Sequence, residues 1–84
     1  RIDFAFIDGN HQEKSTLKYV DLIYPKLADN SVIIIDDIYW SPGMKNAWNQ
    51  LISDSRFSLS LDLFKLGILF VMPRVEKEHF FLKV

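Results

Sequence analysis

Short, largely apolar runs alternate along the chain with segments in which apolar residues recur every three or four positions. Ile2-Asp3-Phe4-Ala5-Phe6-Ile7 is such a run, and Asp8-Gly9-Asn10-His11 after it supplies turn chemistry, which predicts a strand ending at a carboxylate. From Gln12 to about Tyr24, Leu17, Val20, Ile23 and Tyr24 fall at helical spacing, with Lys14, Lys18 and Asp21 on the opposite, solvated face. Pro25 disfavours helical geometry at Tyr24, so the helix is expected to end there and Lys26 to Asn30 to form a turn. Val32-Ile33-Ile34-Ile35 follows, four β-branched residues that stop at Asp36-Asp37, the pattern of a strand buried on both faces.

Beyond the acidic pair, Ile38-Tyr39-Trp40 reads as a loop. Ser41-Pro42 gives an N-cap followed by proline at the first helical position. Met44, Ala47, Trp48, Leu51 and Ile52 then match the i, i+3, i+4, i+7, i+8 template and assign Trp48 to the core. Phe57, Leu59, Leu61 and Leu63 alternate with Ser58, Ser60 and Asp62, which predicts an edge strand with one polar face. Lys65-Leu66-Gly67 reads as a turn, and the apolar run from Ile68 to Met72, ended by Pro73, as the return strand of an antiparallel hairpin. Being apolar on both faces, that return strand belongs between the Val32–Asp37 strand and the alternating one. His79 to Val84 is a short final strand or tail.

A strand, helix, strand unit within one sheet is parallel and right-handed almost without exception, so Asp8 and Asp36 belong at the same edge. Neighbouring strands lie about 4.8 Å apart, close enough for the two loops to reach one ligand. The fold class that follows is α/β, a mixed sheet of about four strands with flanking helices, as one domain over residues 1–84.

Composition narrows the functions available. Eighty-four residues make one small domain, and 49% hydrophobic and 14% aromatic residues give ample core material. The net charge of −1, with both signs interspersed, provides no field to gather nucleic acid or an acidic membrane. Without cysteine there are no disulfides or thiolate metal sites, and a cytoplasmic location is the default expectation. No apolar run approaches the ~18 residues of a membrane span, and no signal segment is recognisable. The chain enters its first strand at Arg1 without a cap or turn, which points to a larger domain whose N-terminal part lies upstream.

Asp8, Asp36 and Asp37 together make an all-oxygen set suited to a hard cation such as Mg²⁺. The alternative is that Asp36 caps the following turn and Asp37 is simply solvated, since strand-end aspartates are common turn residues. His11, three residues beyond Asp8, is placed to act as general base or metal ligand, or is an ordinary loop histidine. Tyr39 and Trp40 are candidates for an apolar wall against a substrate ring, or for core. No Gly-rich phosphate loop, Ser-His-Asp arrangement or zinc spacing is recognisable.

Three stretches resemble the class I S-adenosylmethionine-dependent methyltransferases, in particular the metal-dependent O-methyltransferase branch. Ile2 to His11 is similar to that family's fourth strand and its FIDG-x-H turn, Val32 to Asp37 to its fifth strand, and Leu66-Gly67-Ile68-Leu69-Phe70 to its glycine-led seventh strand. The resemblance implies that Asp8, Asp36 and Asp37 ligate the metal, that the cation holds a substrate hydroxyl, and that the oxyanion attacks the methyl of S-adenosylmethionine. His11 resembles a histidine used as base in sugar-modifying members. Catechol-type members usually carry Asp-Asn where this chain has Asp36-Asp37. The family's Gly-rich cofactor turn and ribose-binding acid have no counterpart in these 84 residues.

The chain therefore resembles the C-terminal half of a Rossmann-like sheet, strands 4-5-7-6 of the order 3-2-1-4-5-7-6. This implies a fragment inactive alone, taking a small-molecule hydroxyl acceptor and pairing as a homo-oligomer through the open edge of its first strand. A second reading, from another class, is a Mg²⁺-binding signalling module resembling a receiver domain, with Asp62 as the only available phosphoacceptor.

Overall fold

In the computed structural model, which describes residues 2–7, 13–71 and 77–82, the elements are β1 (Ile2–Ile7), α1 (Glu13–Ile23), a 3₁₀ turn (Tyr24–Lys26), β2 (Leu27–Asp36), α2 (Pro42–Ile52), β3 (Leu59–Asp62), β4 (Leu66–Val71) and β5 (Glu78–Phe81). They form one mixed five-stranded sheet in the order β1-β2-β4-β3-β5. β1 and β2 are parallel, with Ile7 beside Ile35, so both strands end at the same edge of the sheet. β4 runs antiparallel to both of its neighbours, β2 and β3, and β5 lies parallel to β3. The α/β class and the order of the first four strands follow the expectation. The strand count does not, because β5 adds a fifth strand and takes the edge expected for β3.

Where the sequence gives unambiguous signals, local structure follows them. Ser41 caps α2, its Oγ accepting from the Met44 amide at 3.1 Å, and Pro42 occupies the first turn, where no donor is missed. Met44, Ala47, Trp48 and Leu51 are buried and Ile52 is half-buried against the core. α1 buries Val20 and packs Leu17 and Ile23 on the same core, while Lys14, Lys18 and Asp21 face solvent.

Three local expectations are corrected. The turn assigned to 26–30 belongs mostly to β2, which starts at Leu27; Asn30 adopts φ 62°, and between the Ile2–Leu27 and Phe4–Val32 pairs β2 accommodates its extra residues as a bulge. The hairpin turn falls at Leu63 to Lys65, not at Lys65 to Gly67, with the Leu63 amide donating to the Leu66 carbonyl at 2.9 Å. Gly67 is a strand residue with another task. A Cβ there would lie 2.4 Å from Cη2 of Trp48, so the glycine lets the indole lie directly on the sheet. Finally, the polar face of β3 is turned inward: Ser60 and Asp62 are buried while Leu59 and Leu61 are half-buried.

That inversion follows from which face of the sheet the helices cover. Ile7, Ile33, Ile35, Leu69 and Val71 share the core with both helices. The pairing puts Phe4, Phe6, Val32, Ile34, Ile68 and Phe70 on the other face, where Phe4 is 57% and Phe6 52% exposed. At β3 the helix side is met by the Trp48 indole and the His79 ring, and both offer polar atoms. Ser60 Oγ lies 2.6 Å from His79 Nδ1 and Trp48 Nε1 donates to Asp62, so the buried polar groups are satisfied.

Candidate functional site

The carboxyl end of β2 opens onto a shallow cleft of about 180 Å³ lined by Asp37, Tyr39, Trp40, Phe64 and Lys65. Typical ligand pockets occupy ~300–1,000 Å³. The cleft accommodates one ring-sized group. Across the hairpin turn, Leu63, Phe64, Lys65 and Leu66 line a second, more apolar depression of about 260 Å³.

Asp36 closes β2 opposite Leu66 and is half-buried; its Oδ1 accepts from the Asp37 amide at 3.0 Å. Asp37 turns the chain out of the sheet in the left-handed region, φ 55°, a conformation aspartate tolerates better than most residues. Its amide also donates to the Lys65 carbonyl at 2.7 Å, which ties the end of β2 to the β3–β4 turn. Trp40 is anchored by its amide on the Asp37 carbonyl at 3.0 Å and leaves its side chain 65% exposed.

Phe64 sits across the cleft at φ 71°, 57% exposed, its ring 5.7 Å from that of Tyr39. A bulky side chain in that region is an outlier, and such conformations persist only when the surroundings over-determine them. Here Asp62 does so, because its Oδ1 accepts from the Phe64 amide at 2.9 Å. The other oxygen, Oδ2, accepts from Trp48 Nε1 at 3.2 Å and from the Tyr39 hydroxyl. Partial burial and the hydrogen bond to Asp62 push the Tyr39 phenol up to about 12, since ionising it would place a second anion against the carboxylate.

Of the residues singled out from sequence, Asp37, Tyr39 and Trp40 are brought together on this cleft, and Asp36, the residue before Asp37, is not among those lining it. Asp8 and His11 lie outside the described residues. Among the described residues no three His, Asp, Glu or Cys side chains are grouped to hold a metal. Asp36 and Asp37 provide consecutive oxygen donors at a strand end, and that donor set fits a hard cation as part of its ligation. Trp48 is core, 1% exposed.

Phe64, Lys65 and the supporting role of Asp62 went unrecognised in the sequence. The one available signal was the unbroken Leu63-Phe64 pair, which interrupts the alternation two residues before the expected turn.

Residues 1–38 match a family model described as a methyltransferase domain. The match covers β1, α1, β2 and the acidic pair, and it supports a methyltransferase-like character for that part of the chain. No curated protein and no solved structure matches the chain. No helix among the described residues is long and apolar enough to cross a membrane.

Proposed function

We propose that the chain supplies the divalent-metal and acceptor side of an S-adenosylmethionine-dependent O-methyltransferase. The observation that carries the reading is the coincidence of the family match, which ends at Ile38, with the strand-end pair Asp36-Asp37 that opens onto an aromatic cleft. In open α/β sheets the ligand crevice lies outside the carboxyl ends of the strands, and the cleft is there.

In this reading Asp36 and Asp37, with Asp8, would hold Mg²⁺ through oxygen. A cation so held supplies Lewis acidity, which lowers the proton affinity of an acceptor hydroxyl. Tyr39, Trp40 and Phe64 orient the acceptor's apolar body beside that hydroxyl. His11 would take the hydroxyl proton, leaving the acceptor oxygen to bond to the donor's methyl carbon as that carbon's bond to sulfur breaks. The Tyr39 phenol, neutral throughout the neutral range, is not the base.

The receiver-domain reading requires a phosphoacceptor at Asp62, and that side chain is buried with three donors upon it. Isothermal titration with Mg²⁺ tests the methyltransferase reading. Wild type is expected to give saturable heat that Asp36→Ala abolishes; equal heats from both proteins would dismiss it.

A further inference from the structure

Asp62 is the most deeply buried carboxylate among the described residues, 2% exposed, and its donors come from three separate parts of the fold. Trp48 belongs to α2, Tyr39 to the loop after β2, and Phe64 to the hairpin turn. A carboxylate inside a protein is costly unless its oxygens are satisfied. Three donors on one residue make a junction. Two of the three, Tyr39 and Phe64, are opposing walls of the cleft, and the third lies over Gly67, where no side chain larger than hydrogen fits.

The junction explains what local chemistry does not. The Leu63 to Lys65 turn has no glycine, asparagine or proline, yet it holds an aromatic residue at φ 71°. The amide hydrogen bond to Asp62 Oδ1 compensates that strain. The Tyr39 ring is half-exposed and would otherwise sample several rotamers; the bond from its hydroxyl selects the one that faces Phe64. The indole bond on Oδ2 fixes the carboxylate itself.

We propose that Asp62 is the positioning residue of the acceptor cleft: one buried carboxylate sets the spacing of Tyr39 and Phe64 and thereby the shape of the site beside Asp37. As a role in acceptor binding, this rests on the methyltransferase reading. The positioning itself does not, and it is read without metal or substrate. Asp62 touches no reacting atom. It acts through the two rings.

The test follows the Tyr39 ring by NMR in wild type, Asp62→Asn and Tyr39→Phe, which also assigns the Tyr39 signal. In wild type the Tyr39 ring is expected to show contacts to the Phe64 ring. In Asp62→Asn the Tyr39 ring is expected to lose those contacts. The cleft's other charged side chains, Asp37 and Lys65, are unchanged in this variant and of opposite sign.

Tyr39–Phe64 ring contacts identical in the two proteins would overturn the proposal. Should Asp62→Asn not fold, Tyr39→Phe, which removes one partly exposed hydroxyl, decides alone. Its Trp48 indole and Phe64 amide resonances are expected to shift because both share the Asp62 carboxylate; no shift at either overturns the junction. A silent Mg²⁺ titration alongside a normal Tyr39 result would remove the methyltransferase reading and leave the junction standing.

Discussion

Two groups of aspartates lie at opposite ends of α2, and only one has the surroundings of a site. Beyond the helix, Asp54 accepts from Arg56 through Nε and Nη2, the latter at 2.7 Å, and Arg56 Nη2 also meets Asp21 at 3.0 Å. The guanidinium lies 5.0 Å from the Tyr24 ring centre and 5.5 Å from that of Phe57. Burial raises the Asp54 pKa, but the Arg56 hydrogen bonds and charge outweigh it and hold the carboxyl below the usual range. Charge, hydrogen bonds and packing all close on themselves, as in a structural latch. Before the helix, Asp36-Asp37 is accompanied by three exposed aromatic rings, two left-handed non-glycine residues and a buried carboxylate bonded to two of the ring-bearing residues. Carboxylates do not mark a site by number. What marks it is strain and exposed apolar surface maintained beside them.

The contrast breaks most severely at Gly67. Gly67→Ala drives a methyl into the Trp48 ring and is expected to cost about 1–3 kcal/mol in urea unfolding, with loss of the indole bond to Asp62. A smaller effect is expected at the latch. Arg56→Ala removes a partly exposed pair and its ring contacts, about 1 kcal/mol at neutral pH. Because the folded Asp54 value is depressed, that stabilisation is fully present above the unfolded carboxylate value near 3.9 and disappears as pH falls through the folded one. The stability gap between wild type and Arg56→Ala is thus expected to narrow as pH falls below about 4, towards the part that the ring contacts contribute.

The smallest effect has the opposite sign. Phe64→Gly relieves the left-handed backbone and loses mainly an exposed ring, so thermal unfolding is expected to show a gain of about 0.5 kcal/mol. A loss above about 1 kcal/mol would show that Phe64 is there for packing rather than for the cleft.

Strands, helices and the acidic pair were legible because each has a local signature. The Val32 to Asp36 run, the Ser41-Pro42 cap and the α2 stripe depend on periodicity and capping chemistry, which neighbours only reinforce. Gly67 misled, since a glycine needed for close approach looks in sequence like one needed for a turn. The alternation of β3 identified a strand but not which side faced inward; that depended on Trp48 and His79 offering polar atoms to Ser60 and Asp62. β5 joins β3 in parallel from a segment with no crossover signature of its own, so neither its partner nor its register could be read. For the site, Asp37, Tyr39 and Trp40 were visible as a strand end. Phe64 and Lys65 reach it only through the antiparallel pairing of β2 with β4.

The proposed function requires a divalent cation at the Asp36-Asp37 end and none at the Asp54 end. Mg²⁺ titration calorimetry on wild type, Asp36→Ala and Asp54→Asn tests it most directly. The account predicts saturable heat in wild type, the same heat in Asp54→Asn and none in Asp36→Ala. Heat that survives Asp36→Ala, or vanishes with Asp54→Asn, contradicts it.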